Sequence, residues 1–209
     1  MLIGVLALQG AFAEHIAALK RLGAQTREVR LPADLEGIDG LIIPGGESTT
    51  IGKLLVMTTL DDAIRDRNAN GMPVWGTCAG MILLGNDLGD SGSRVGQSQP
   101  LLGLMDLRVR RNAFGTQLDS FETTLSAPAV ADYPVSAVFI RAPVIEATGP
   151  DVAILASLPD GRPVAAQTEH VLVTAFHPEL TDDLAFHRYF LQMVAARQPV
   201  NSMAASQTH

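Results

Sequence analysis

Apolar residues along the chain fall into short blocks separated by glycine-bearing joints. Leu2–Leu8 carries no charge and stops at Gln9-Gly10, the pattern of a strand buried on both faces. Across Ala11–Leu22 the period lengthens. Phe12, Ile16, Leu19 and Leu22 recur at helical spacing, Glu14, Lys20 and Arg21 fall off that stripe, and Gly23 closes the helix. Thr26–Leu31 and Gly40–Ile43 read as two further strands, the second stopped by Pro44-Gly45-Gly46. A helix is expected to begin in the Glu47–Thr50 region and run through Leu55. Pro73–Trp75 is another apolar strand, broken at Gly76, and Ala79–Leu84 resumes as helix. Strand and helix alternating through short joints predict an α/β fold: an open, mainly parallel sheet with helices on both faces.

The middle of the chain changes character. Leu104–Val109, Ser120–Leu125 and Val135–Ile140 look like strands with no long helix between them, so antiparallel additions are expected. Ala153–Leu158, Val164–Gln167 and Val171–Ala175 continue as short hairpins. Thr181 is placed to cap a final helix with Asp182 and Asp183 in its first turn, running to about Ala196. No repeat or linker divides residues 1–196, which read as one domain; residues 197–209 are polar and aperiodic, as in a flexible tail.

Composition narrows the function. With a net charge of −7 and no lysine/arginine cluster, the chain lacks the basic footprint of a nucleic-acid binder. Met1–Leu8 is too short to span a membrane and lacks the charged flank and cleavage site of a signal peptide. One cysteine excludes an internal disulfide and suits a reducing, cytoplasmic setting. That cysteine is either an inert core residue or a nucleophile.

Its surroundings favour the nucleophile. Gly76-Thr77-Cys78-Ala79-Gly80 lies between a buried strand and a helix, in the G-x-nucleophile-x-G elbow pattern. The turn is tight enough to require glycine at both flanks. It would hold Cys78 above the carboxyl edge of the sheet, where a helix amino terminus favours the thiolate. The competing reading is a buried cysteine in a glycine-rich turn.

A thiolate nucleophile needs a base, and five histidines compete for the role. His15 and His187 lie on helices, His209 in the tail and His170 in a hairpin turn. His177 differs, because it ends the apolar run Val171–Phe176 and continues as Pro178-Glu179. In extended chain positions i and i+2 point the same way, so Glu179 can flank the imidazole. The order nucleophile, base, orienting carboxylate would then be Cys78, His177, Glu179. Oxyanion donors could come from the N–H of Ala79 and from the loop carrying Gly46. A phosphate loop is a poor alternative, since Gly46 stands one residue too far from Gly52-Lys53 and Leu54 replaces the required Ser/Thr. His177-Pro178-Glu179 also echoes a zinc-deaminase H-x-E, but no P-C-x-x-C completes it and no other ligand spacing occurs. Neither a metal nor another cofactor is expected.

With these residues in place, the sequence resembles the glutaminase subunits of pyridoxal 5′-phosphate synthase, a branch of the class I glutamine amidotransferases. The elbow and the His-x-Glu are shared across that class. The likeness is carried further by Gly4–Ala11 with Glu14-His15, Pro44–Thr50, Gly76–Leu84 and Phe176–Leu180. Asp119–Glu122 matches as well, and Arg111-Asn112-Ala113-Phe114-Gly115 and Phe139–Pro143 are the segments specific to this branch. Thr116 departs from the basic residue that often follows Phe-Gly, and the tail has no counterpart.

The resemblance implies a flavodoxin-like, class I amidotransferase fold. It implies an L-glutamine site built from Gly46, Glu47 and Ser48 and completed by Arg111, Ile140 and Arg141. Arginine suits the substrate carboxylate, although a surface ion pair is the ordinary fate of either guanidinium. A (β/α)₈-barrel synthase is the implied partner, taking ammonia into pyridoxal 5′-phosphate. Gln9, polar and next to a buried run, is then expected to face that partner; otherwise its amide caps a helix or satisfies a nearby loop. Other outcomes are a glutaminase of a different synthase, a γ-glutamyl hydrolase, or a non-catalytic regulatory domain.

Overall fold

The computed structural model describes residues 1–89, 99–111 and 120–197. Strand β1 (Leu2–Leu6) leads into helix α1 (Phe12–Arg21), and strand β2 (Gln25–Val29) follows. Strand β3 (Gly40–Ile43), helices α2 (Ser48–Met57) and α3 (Leu60–Ala69), strand β4 (Val74–Thr77) and helix α4 (Ala79–Leu84) come next. The elements then shorten: β5 (Gly85–Leu88), β6 (Met105–Arg110), β7 (Ser120–Leu125), β8 (Val135–Ile140) and β9 (Val144–Thr148). Strands β10 (Ala153–Ser157), β11 (Pro163–Gln167) and β12 (Val171–Thr174) precede the last helix, α5 (Ala185–Arg197).

Among the described residues, β10-β11-β12-β4-β3-β1-β2 form one seven-stranded sheet. The stretch from β12 to β2 is parallel, while β11 and β10 add on antiparallel. The expected α/β sheet with antiparallel additions is therefore present. Strand order turns back between β1 and β3, so this sheet has its switch point there, where open α/β sheets place ligands. The pleat of β4 assigns the two faces. Trp75 packs against Phe186 and Phe190 of α5, whereas a Cβ on Gly76 would strike Gly80 and Leu84 of α4. The strands β1, β3, β4 and β12 are almost wholly buried, as their unbroken apolar runs require.

Differences from the sequence reading have local causes. Helix α3 goes unannounced because it buries only Leu60 and Ile64 in an otherwise charged stretch; Thr59 at φ 57° separates it from α2. Strand β5, Gly-Asn-Asp-Leu, has no strand-like composition and forms by pairing its backbone with β6. Strand β9 is held the same way, antiparallel to β6. In α1 the buried stripe is His15, Ala18 and Leu19, while Phe12 and Ile16 are half-covered, so the helix is rotated from the expected face. The last helix does not start at Thr181. A 3₁₀ turn occupies Pro178–Leu180, and Asp183 accepts the N–H of Ala185 at 2.9 Å to open α5. The same carboxylate accepts the Ser136 N–H at 3.0 Å, which ties the cap to β8 and displaces the start. Helix α5 includes Arg197, and the expected tail beyond it, like Thr116, lies outside the described residues.

Helix α4 packs closely against β3 beside the β4–α4 joint. A Cβ on Gly80 would fall on the Ile43 carbonyl oxygen of β3, a backbone atom that cannot swing aside. Gly80→Ala is expected to cost about 3 kcal/mol, read as a melting temperature lower by roughly 6–12 °C. An unchanged melt would show that β3 and α4 can separate more easily than their packing implies.

Candidate active site

Four strand ends deliver the site to one edge. Gln9 and Gly10 follow β1, Gly45 and Gly46 follow β3, Cys78 follows β4, and His177 follows β12 after Ala175 and Phe176. Register makes this unavoidable: Ile43 pairs with Gly76, and Thr174 pairs with Thr77. Beyond the ladder, Cys78 N–H donates to Thr174 O at 2.8 Å and His177 N–H donates to Val138 O of β8 at 2.8 Å.

Cys78 has φ 48° and ψ −102°, a backbone conformation that costs a non-glycine residue on the order of 1–3 kcal/mol. The strain turns its side chain out of the sheet at the amino end of α4. Its sulfur lies 4.0 Å from Ile140 O, and the residue is nearly buried. His177 Nδ1 is 2.7 Å from Glu179 Oε1, with both side chains buried. The i, i+2 pairing expected from the sequence is present, although Glu179 sits in a 3₁₀ turn and not in extended chain.

Electrostatics fix the protonation of that pair. Burial alone would lower the His177 pKa, but the Cys78 sulfur and the Glu179 carboxylate outweigh it and raise it to about 10. For Glu179 burial works against the charged form. His15 and His177 overcome that penalty and hold its pKa below the ordinary carboxylate value. With Nδ1–H given to Glu179, the other ring nitrogen is left for the sulfur. Gly45 is required here, because any Cβ at that position would run into the His177 ring.

A cavity of about 430 Å³ opens beside the sulfur, ample for a free amino acid. Gly46, Ala79 and His177 line it at the nucleophile end, and Arg111, Ile140 and Arg141 line it elsewhere. Arg141 has φ 42°, a second strained residue at the same pocket. Arg111 Nη1 donates to Gln99 Oε1 at 2.6 Å and to Thr49 Oγ1 at 3.3 Å, so among the described residues its partners are a side-chain amide and a hydroxyl. Ser48 Oγ donates to the same Gln99 oxygen at 3.2 Å.

Two residues behave differently from a plain binding role. The Glu47 carboxylate caps α2, accepting N–H groups from Thr49 at 3.0 Å and Thr50 at 2.7 Å. Partial burial opposes its ionisation, but the Thr50 and Thr49 hydrogen bonds prevail and lower its pKa. Gln9 lines the cavity, yet its Oε1 accepts the Glu47 N–H at 2.8 Å. Its amide satisfies a nearby loop, the second of the two sequence readings, while remaining next to the opening.

The structure thus gathers Gln9, Gly46, Glu47, Ser48, Cys78, Ala79, Arg111, Ile140, Arg141 and His177 around one cavity, with Glu179 behind the imidazole. Sequence reasoning missed Ile82, which lines the cavity, and Gln99, which holds Arg111. Ile82 belongs to an apolar helical run and carries no separate signal. His15, which its sequence position marks only as a helix residue, has its Nε2 3.4 Å from Glu179 Oε2. Among the described residues no three His, Cys, Asp or Glu side chains gather as metal ligands, and no helix is long and apolar enough to cross a membrane.

An open α/β sheet with these antiparallel additions and an elbow cysteine at its edge is the architecture of the class I glutamine amidotransferases. The chain belongs to the SNO glutamine amidotransferase family, whose model matches residues 5–196. It is 59% identical over 191 residues to the pyridoxal 5′-phosphate synthase subunit PdxT of Herpetosiphon aurantiacus, covering 91% of this chain and 99% of that one. The PdxT of a Roseiflexus species is 56% identical, with 92% and 100% covered. A crystal structure of a glutamine amidotransferase, 46% identical, superposes with a TM-score of 0.85 over 92% of this chain and 98% of that one. PurLQS from Thermotoga maritima, 15% identical at a TM-score of 0.64, covers 93% of this chain and 97% of that one and shares the fold alone.

The raised pKa of His177 sets a pH dependence. Its stabilising contribution is complete below the unfolded value of 6.5, declines as pH rises, and is gone above about 10. Thermal melts across that window should fall with rising pH. In Glu179→Gln, which removes one of the causes, the decline should finish at lower pH. Superimposable profiles for the two proteins would contradict the charge assignment.

Proposed function

We propose that this chain hydrolyses L-glutamine to L-glutamate and ammonia through Cys78, His177 and Glu179, and that residues 1–196 form a single glutaminase domain. The observation that carries the reading is the strained Cys78 beside a Glu179-bound imidazole, in a cavity that also presents two guanidinium groups. Sulfur attacks the side-chain amide carbon, and the oxygen that becomes negative is held by the N–H groups of Gly46 and Ala79. His177 donates its proton to the departing nitrogen, the C–N bond breaks, and ammonia leaves a thioester on Cys78. The imidazole then takes a proton from water as its oxygen attacks the thioester, and glutamate departs with the thiol restored. Arg111 and Arg141 supply the charge that a substrate α-carboxylate seeks, while Glu47 and Ser48 shape the wall of the site.

The relatives' name, pyridoxal 5′-phosphate synthase subunit, supports a synthase partner that receives the ammonia for vitamin B6 synthesis. We take that partner to be a (β/α)₈ barrel and the compartment to be the cytoplasm. Docking over the cavity has a physical purpose, since ammonia exposed to water at neutral pH is protonated and lost as a nucleophile. Gln9 stands at the rim of the cavity and holds the Glu47 N–H, so a partner touching it acts on the glycine loop as well.

Cys78→Ala should lower glutamate release by at least about 10⁴-fold while the protein still folds and melts cooperatively. His177→Asn should be nearly as damaging, and Glu179→Gln roughly 10- to 100-fold less so. Turnover retained by Cys78→Ala would sink the assignment, and preference for γ-glutamyl peptides over free glutamine would move the reading to a γ-glutamyl hydrolase.

Gln9→Lys should reduce synthase-stimulated turnover and co-sedimentation with the synthase together, with little change in the melt. Undiminished co-sedimentation would place the partner elsewhere, first around residues 111–116.

A further inference from the structure

Behind the catalytic carboxylate lies a chain of buried imidazoles that the mechanism above does not use. His15 and His187 are completely buried. His15 Nδ1 is 3.0 Å from His187 Nε2, and His15 Nε2 faces Thr77 Oγ1 at 3.2 Å and Glu179 Oε2 at 3.4 Å. Thr77 immediately precedes Cys78, so the contacts of His15 reach both the nucleophile's strand and the triad carboxylate. Glu179 Oε2 and His187 Nδ1 are buried without a hydrogen bond of their own among the described residues.

Proton counting selects one arrangement. Burial lowers the pKa of both imidazoles, and for His187 it does so strongly, so each is neutral with one N–H. If His15 carried its proton on Nδ1, His187 would accept it on Nε2, leaving the His187 N–H on Nδ1 as a buried donor with no acceptor. The His15 Nε2 lone pair would also face a carboxylate oxygen. Both features are unfavourable. If His187 instead carries Nε2–H and donates to His15 Nδ1, then His15 carries Nε2–H and aims it at Glu179 and Thr77. The unpartnered His187 Nδ1 is then only a lone pair, the cheaper group to leave unmet.

We propose that His15 is a positioning residue: held as the Nε2–H tautomer by His187, it fixes the second oxygen of Glu179, so that the first stays on His177. The proposal rests on the catalytic reading of Cys78, His177 and Glu179. Titratable and charged groups acting on this cluster are Cys78, His177, His187, Glu14 and Arg21. His177 engages the other carboxylate oxygen, Oε1, Arg21 is paired with Asp182, and His187 contacts His15, so the contact to Glu179 Oε2 falls to His15.

The test uses the full chain bound to its synthase, with kcat and KM for glutamine measured across the acid and neutral range. His15→Leu keeps the volume and removes the donor. It should lower kcat by on the order of 10- to 100-fold with KM within about twofold. Glu179 would then protonate more readily, so the acid limb of kcat should move to higher pH. His15→Gln, whose amide N–H reaches the position of Nε2, should restore most of kcat and return the limb. Wild-type kcat and pH profile in a folded His15→Leu protein would overturn the proposal, and so would a His15→Gln protein no better than His15→Leu. The arrangement is also read without substitution: nitrogen NMR of histidine-labelled protein should find His15 and His187 both neutral with the proton on Nε2. A proton on His15 Nδ1 would overturn it even if every variant failed to fold. Failure of the catalytic reading would show separately, as glutamate release surviving Cys78→Ala.

Discussion

The site depends on the register of β4 between two parallel neighbours. Pairing Ile43 with Gly76 on one side and Thr174 with Thr77 on the other brings three strand ends level at one edge. A one-residue slip in either ladder would turn Trp75 away from Phe186 and Phe190 and put Gly76, which has no side chain, in its place. Core packing thereby sets the geometry of the catalytic groups. Trp75 fills one face, the missing Cβ of Gly76 lets α4 approach the other, and the chain leaves β4 with only one sharp way into the helix. The positive φ of Cys78 is the consequence of that exit, and it is maintained because β3, β12 and α4 all oppose its relaxation.

Much of this was legible because its signals are local in sequence. Elbow, glycine loop and His-x-Glu each occupy a few consecutive residues at the end of an apolar run, and parallel strands carry their carboxyl ends to one edge. Pattern alone therefore brought Cys78, Gly46 and His177 together. The specific arginines needed the family likeness, since nothing in the spacing of Arg111 or Arg141 separates a substrate ligand from a surface charge. What stayed hidden depends on distant partners. His15 lies 172 residues from His187 and 62 from Thr77, and a histidine on an amphipathic helix carries no mark of such contacts. Gln99 meets Ser48 and Thr49 across a similar gap. Strands β5 and β9 were missed for the corresponding reason in the backbone, because their pairing with β6 makes them strands and their side-chain pattern does not.

Loop chemistry ties the separate strand ends into one unit. Gln9, after β1, accepts the Glu47 N–H, while Ala11 N–H donates to Gly45 O at 3.1 Å. These two bonds join the first loop to the glycine loop at the switch point, where neighbouring strands diverge and backbone groups lose their ladder partners. Glu47 in turn caps α2, so its charge is spent on helix donors before any substrate arrives. Such a loop is shaped by hydrogen bonds that a ligand or a docked partner can compete for. The elbow, packed by backbone against backbone, offers no comparable freedom.

A polar line through the core completes the argument. From Glu179 through His15 to His187, charged and dipolar groups run behind the sheet edge among Trp75 and the aromatic residues of α5. Burying them costs free energy that an apolar set of the same volume would not. In exchange, water is kept from Glu179, and its attraction for His177 acts in a medium of low polarizability. The same exclusion makes the orientation of each ring matter, since a mispointed N–H here has no solvent to turn to. Aromatic packing on the α5 face and proton placement at the catalytic edge are therefore one constraint. The fold tolerates the polar line because each of its members restricts the next.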